Sequence, residues 1–157
     1  ANAMKLGKSL KMTLQSAMKS GGQVAAVKVC NSTASPIAEK VTAETGRAVG
    51  RTSLKLRKPD NAPDEWELAV LNKFEERKVA GESAKTLEYG ETVMVDGKET
   101  FRFMKAIPTD KVCMNCHGGD QVKAEVAELI KQLYPDDKAR GYKPGDLRGA
   151  FTLSKTL

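Results

Sequence analysis

The sequence predicts an α+β domain in which long N-terminal helices precede a small antiparallel sheet interrupted by one loop and one helix. Three observations carry this reading. Leu6, Leu10, Leu14 and Met18 recur every four residues, the period of an amphipathic helix. Residues 92–95 and 99–107 alternate like strands about Asp96-Gly97, a tight-hairpin dipeptide. Gly149 to Leu153 reads as a final strand after the intervening loop and helix.

Taken in order, the first helix runs from Met4 to Lys19 and is interrupted or bent at Gly21-Gly22. A helical pattern resumes from Gln23 to Cys30, with Ala26 and Val27 one turn before Cys30 on the same face. Asn31 to Ser35 reads as a short break. Ser35 then caps a third helical piece that has Pro36 at its first position, an Ile37–Val41 stripe, and Gly46 as its stop. Arg51 to Lys55 is a candidate strand, and the two prolines of 58–63 mark a loop. Asp64 opens a helix through Trp66, Val70, Phe74 and Ala80 that ends at Gly81. After the hairpin, whose Phe101 and Phe103 share a face, Pro108 stops the second strand. Residues 109–119 form a loop. Asp120 caps a helix carrying Val122, Val126, Leu129, Ile130 and Leu133, and 134–145 returns to loop.

The 157 residues suit one domain with a real core, and 40% hydrophobic with 29% charged residues is the balance of a soluble globular protein. No apolar stretch is long enough to span a bilayer. Ala1-Asn2-Ala3 ahead of Met4 resembles an expression-tag remnant, so residues 4–157 are expected to form the domain, with a native signal peptide or anchor removed. Any membrane association is expected only through that segment. The net charge of +6 comes from scattered lysines and arginines rather than a dense patch, so nucleic acid is not an expected partner.

The sharpest compositional fact is that two of the three cysteines and the single histidine fall within five residues. Cys113-Met114-Asn115-Cys116-His117 matches C-x-x-C-H, the attachment signature of c-type haem. Two thiols at this spacing reach the two vinyl groups on one porphyrin edge, and the next residue projects its imidazole toward the iron. Gly118-Gly119 then lets the chain turn away from the ring. The competing readings fit less well. A thioredoxin-like dithiol belongs in a βαβ unit, a zinc site needs about four ligands, and a cysteine-ligated iron–sulfur cluster wants four cysteines. A disulfide between Cys113 and Cys116 would be short and strained.

With one histidine, bis-histidine ligation within the domain is excluded, and a Met, Cys, Lys or Tyr ligand or an open position remains. Met114 lies inside the attachment loop. Met94 and Met104 lie on the hairpin, and Met12 and Met18 on the first helix. Cys30 is the one cysteine not used for attachment; its bland alternative is a small buried hydrophobe.

Several stretches together resemble a family of c-type haem-binding, PAS-like domains once described only as a domain of unknown function. They are Val29-Cys30-Asn31, Ser35-Pro36-Ile37-Ala38, the long run from Arg51 to Glu67, Cys113 to Gly118, Gly141-Tyr142 and Gly145 to Ala150. The resemblance spans about Val24 to Leu153. It implies an antiparallel PAS-like sheet of about five strands flanked by helices, and it implies His117 and Cys30 as the axial pair. A thiolate ligand favours ferric iron and a low reduction potential. On reduction Cys30 could protonate and leave, opening a position for a small gas and moving its helix.

Arg51, Arg57 and Arg148 are candidates for pairing with haem propionates. Trp66 is expected in the core. The expected function is a haem-based redox or diatomic-gas sensor module, with an electron-transfer cytochrome as the alternative. An enzyme is not expected, because no second histidine can serve as a distal acid–base group. A redox partner protein or a signalling output domain is the expected macromolecular partner. Covalent attachment implies a periplasmic or other extracytoplasmic location. Protein matured without the attachment machinery would be haem-free, with Cys113 and Cys116 as free thiols or a disulfide.

Overall fold

The computed structural model describes residues 2–157. One helix, α1 (Asn2–Thr45), covers the whole N-terminal third. Its course breaks at Gly22, whose φ of 68° and ψ of −161° are open to glycine and costly for other residues. The expected second break at 31–35 does not form. Ser32 and Thr33 instead return their hydroxyls to the carbonyls of Lys28 and Val29, so the polar run stays helical. Pro36 therefore lies inside α1, not at a first turn. It leaves the Ser32 carbonyl without its helical donor. Gly46, at φ 63°, ends the helix as expected. Asn2 and Ala3 belong to the first turn, and Ala3 is buried.

After α1 come β1 (Ala48–Thr52), α2 (Glu65–Val79), β2 (Glu88–Val95) and β3 (Lys98–Pro108). A single helical turn, α3 (Met114–His117), precedes α4 (Ala124–Leu133) and β4 (Leu147–Thr156). Among the described residues the strands form one antiparallel sheet of four, in the order β1-β4-β3-β2. This corrects the expectation of about five strands. The remaining long connections, 53–64 and 134–146, carry Pro59, Pro63, Pro135 and Pro144, which cannot donate to a ladder. They spend their polar groups on side-chain contacts around the site described below. β1 begins three residues before the expected Arg51, β2 and β4 are longer than expected, and α4 starts at Ala124 with Lys123, not Asp120, as its cap residue. Asp96 (φ 49°) and Gly97 (φ 74°) make the two-residue hairpin turn that the sequence predicts.

The sheet is covered on both faces. Against one face α2 packs Val70, Leu71 and Phe74 onto Met104, Ala106 and Ala150, with Trp66 at the edge. On the other, α1 brings Leu6, Leu10, Ile37 and Val41 onto Val49, Phe103, Phe151 and Leu153. The middle of α1 forms a third cluster with α4, where Val27 meets Val122, Val126 and Ile130 and Cys116 packs at the rim. That third cluster places the cysteine loop against α1. No helix among the described residues is long and apolar enough to cross a membrane.

The start of α2 is held by a capping box. Asp64 accepts from the Glu67 amide at 2.8 Å, and Glu67 accepts from the Asp64 amide at 3.0 Å. Arg102 of β3 reaches both carboxylates and stacks on Trp66, its centre 4.4 Å from the ring. Burial alone would raise the Asp64 pKa. The hydrogen bonds from Arg102 and the Glu67 amide outweigh it and hold the carboxyl below its ordinary 3.8. Its contribution to stability is therefore complete above that value and is lost as the pH falls through the depressed one. We predict that Asp64→Ala costs about 1 kcal/mol near neutral pH, the usual worth of such a cap. Urea unfolding at pH 7 and at pH 3 checks this, because the variant's deficit should shrink in acid.

Candidate functional site

Cys113, Cys116 and His117 occupy a tight helical knot between β3 and α4. Lys111–Cys113 form one 3₁₀ turn and α3 continues directly from it. The turn exists because the residues after Pro108 are small or polar and Asp110 takes back the Cys113 amide through its carbonyl at 3.0 Å. The Asp110 amide in turn donates to Cys113 Sγ at 3.3 Å. Gly118 ends the knot. A Cβ there would come within 2.7 Å of the Met114 carbonyl, so the exit demands glycine.

His117 is half-buried, and its ring is held at both nitrogens. Nδ1–H donates to the Ala139 carbonyl at 2.9 Å, and Arg148 Nε donates to Nε2 at a longer 3.5 Å. Both bonds require the same neutral tautomer, with the proton on Nδ1 and a lone pair on Nε2. Burial, reinforced by the guanidiniums of Arg148 and Arg57, holds the imidazole pKa well below its ordinary 6.5 against the pull of the Ala139 bond. The ring is thus a neutral donor through Nε2, the form in which histidine binds metals.

Cys30 reaches the same site from α1. Burial pushes its thiol pKa up, while Arg51 and Arg57 pull the other way; Cys116 is raised by burial too, with Arg57 opposing. All three cysteines carry free thiols. Cys30 is near enough to Cys116 to help raise its thiol pKa, and Cys116 packs at the rim of the cluster that Val27 forms with α4, so α1 and the knot are neighbours here. Gln23 of α1 ties the two together through Nε2–H to Asn115 Oδ1 at 3.0 Å.

The three arginines differ in what they do. Arg57 is committed within the protein. It forms a two-pronged ion pair with Asp137 at 3.0 and 3.2 Å and donates to the carbonyls of Cys116 at 2.7 Å and Ala139 at 3.2 Å. Arg51 and Arg148 are half-buried but pair with no carboxylate among the described residues. Arg51 neighbours Cys30 and Tyr134, and Arg148 donates to Ser53 Oγ at 3.2 Å beside the Tyr142 ring. The site is therefore rich in positive charge with one internal anion. Arg140 closes the floor by donating to the Gly118 and Gly119 carbonyls.

The structure thus gathers all seven sequence-predicted residues, from α1, β1, the 53–58 segment, the knot and β4, into one place. Met94 and Met104 lie on the β2–β3 hairpin, Met104 buried in the α2 core, while Met12 and Met18 lie on α1 ahead of its break at Gly22. Sequence reasoning missed Asp137, Ala139, Ser53, Tyr134 and the Gln23–Asn115 bridge. Ala139 acts through its carbonyl and so leaves no signal in residue type. Asp137 is one of many acidic residues. Ser53 and Asp64 lie in the same run of family resemblance, which gave the run without its roles.

Fold and site together define a four-stranded α+β domain with a half-buried, neutral imidazole, neighbouring thiols and an excess of guanidinium. The family model for Tll0287-like proteins matches residues 2–155, and the chain belongs to that family. The crystal structure of the cyanobacterial heme-protein Tll0287 has the same fold, with a TM-score of 0.69 at 23% identity over 98% of this chain and 92% of that one. No curated protein sequence matches the chain.

Gly149 tests how tightly the site is built. A Cβ on it would collide with the Thr52 carbonyl and come within 3.1 Å of Ser53 Cβ, between the strands that deliver Arg51 and Arg148. We predict that Gly149→Ala costs about 1–3 kcal/mol by overpacking, measured by thermal or denaturant unfolding. Gly50→Ala, in the adjacent strand β1 with its nearest atom at 3.7 Å, should cost clearly less.

Proposed function

We propose that this chain is a c-type haem domain, with Cys113 and Cys116 as the thioether attachment points and His117 and Cys30 as the axial ligands. Its role is to sense redox state or a diatomic gas. One observation carries the reading: one residue beyond the paired thiols, a half-buried imidazole is fixed as the Nδ1–H tautomer on a backbone carbonyl, and its Nε2 lone pair meets only a long contact from Arg148. The donor set fits the group. A proximal histidine needs an acceptor for its other ring nitrogen, and Ala139 provides one. Coordination requires Arg148 to turn away from Nε2. The unpaired positive charge of Arg148 and Arg51 suits the two propionates. Arg57 braces the attachment loop instead. The family's heme-protein of known structure supports the same cofactor class.

When bound, haem supplies a reversible one-electron couple and, if an axial ligand leaves, a position for a small gas. The chain supplies the means for that ligand to move. Cys30 lies between Gly22 and Pro36, two points where the hydrogen-bond ladder of α1 is interrupted. With no metal bound, Cys30 is the neutral thiol that its partly buried surroundings favour. This favours a sensor over an electron-transfer cytochrome, for which fixed ligation is the better design. The helix-flanked antiparallel sheet is PAS-like, a plan common in ligand-sensing input domains. In this reading the domain has no enzymatic role and works in the periplasm or another extracytoplasmic compartment, where covalent haem attachment is normally made.

Production in a host competent for haem attachment should give protein whose mass exceeds the polypeptide by one haem, with a c-type pyridine haemochrome. Colourless protein of bare-chain mass ends the proposal. Cys113→Ala with Cys116→Ala should abolish the covalent mass. Cys30→Ala should keep it and lose the thiolate features of the ferric absorption spectrum. Reduced wild-type protein should bind carbon monoxide; an unchanged six-coordinate spectrum assigns the domain to electron transfer.

A further inference from the structure

We propose that the buried Arg57–Asp137 pair tunes the donor strength of His117, because Arg57 and His117 donate to the same carbonyl oxygen, that of Ala139. The effect on iron rests on the haem reading above; the effect on the imidazole does not. The geometry is a closed circuit. His117 Nδ1–H meets Ala139 O at 2.9 Å and Arg57 Nη2 meets the same oxygen at 3.2 Å. Asp137 holds Arg57 by two contacts and also accepts the Ala139 amide at 2.9 Å. The two side chains are only 12% and 8% exposed, so water screens the pair little.

A carbonyl oxygen that accepts from a cation has less electron density for a second donor. Arg57 therefore weakens the bond that Ala139 offers to His117. An imidazole whose Nδ1–H donates strongly becomes more basic at Nε2, and a more basic axial ligand favours ferric iron. Arg57 thus restrains the basicity of His117, and Asp137 restrains Arg57. Opposite ends of one ion pair should then act on the histidine with opposite signs. A pair that merely braced the loop would loosen the same contacts whichever end was altered. Arg57 and Asp137 are positioning residues in this scheme, since neither reaches Nε2.

The test uses the full chain with Arg57→Gln, Arg57→Lys and Asp137→Asn. In the polypeptide before haem attachment, the His117 Nδ1–H proton resonance should move downfield in Arg57→Gln, showing a stronger bond to Ala139. It should move less far in Arg57→Lys, which keeps a cationic donor, and upfield in Asp137→Asn. In the haem-loaded protein the reduction potential should become more negative in Arg57→Gln and more positive in Asp137→Asn, with Arg57→Lys between Arg57→Gln and the wild type. Shifts of the same sign at both positions, or none, overturn the proposal. A chain that never takes up haem defeats the functional reading alone, and the proton resonance still decides this one. Should Arg57→Gln fail to fold, Arg57→Lys against Asp137→Asn carries the sign test.

Discussion

The arrangement of the site depends on one ion pair. Arg57 and Asp137 come from irregular segments 80 residues apart and meet in surroundings that leave each about a tenth exposed. A buried pair of this kind adds little net stability by itself, because desolvation consumes most of the attraction. Its consequence is geometric. With Nε and Nη2 both on Asp137, the guanidinium has one fixed orientation, and Nη2 shares its two N–H groups among Asp137 and the Cys116 and Ala139 carbonyls. The attachment knot and the acceptor for His117 are thereby locked to one another. Removing either partner would leave an uncompensated charge beside a half-buried imidazole, a far greater cost than the pair's own worth.

Around that lock, α1 joins everything. Its first half covers the sheet through Leu6 and Leu10, its middle covers α4 and the knot through Val24 and Val27, and its end returns to the sheet through Ile37 and Val41. A straight helix could not touch all three surfaces in this way, and Gly22 provides the change of direction. The same break frees the segment carrying Cys30 from strict continuity with the sheet-bound start of the helix. Ser32 and Thr33, bonded back to their own helix, and Pro36, without an amide proton, make the far side of that segment soft as well.

Elements with a strong period were readable from the residues alone. The four-residue spacing of Leu6, Leu10 and Leu14 gives the start of α1. Asp64 with Glu67 gives the start of α2, and Asp96-Gly97 gives the hairpin. The break expected at 31–35 was illegible because serine and threonine serve equally as helix caps and as back-bonded helix residues, and here Ser32 and Thr33 take the second role. The fifth strand implied by resemblance is absent among the described residues because the candidate segments are proline-bearing and occupied by the site. At the site, side chains with diagnostic chemistry were legible: two thiols, one imidazole, one further thiol and three guanidiniums. Asp137 and the Ala139 carbonyl were not, since an acidic residue among twenty and a backbone oxygen look like any other.

Electrostatics then explains why thiols and arginines share this pocket. Burial opposes charge on Cys30, and Arg51 and Arg57 oppose burial, so the thiol is neutral in the polypeptide yet close to positive charge that a thiolate would use. Burial foremost, and then the guanidiniums of Arg148 and Arg57 with a smaller part from Arg51, keep His117 neutral, because another cation beside them is unfavourable. One cluster thus favours an anion at the sulfur and rejects a cation at the ring. Those are the two protonation states that a metal demands of these ligands, a deprotonated thiol and a neutral imidazole. Arg51 and Arg148, unmatched by carboxylates within the protein, extend that preference to any anionic group entering the pocket. The positive field therefore serves ligation and anion capture together, and a carboxylate placed in this pocket to pair those arginines would weaken both.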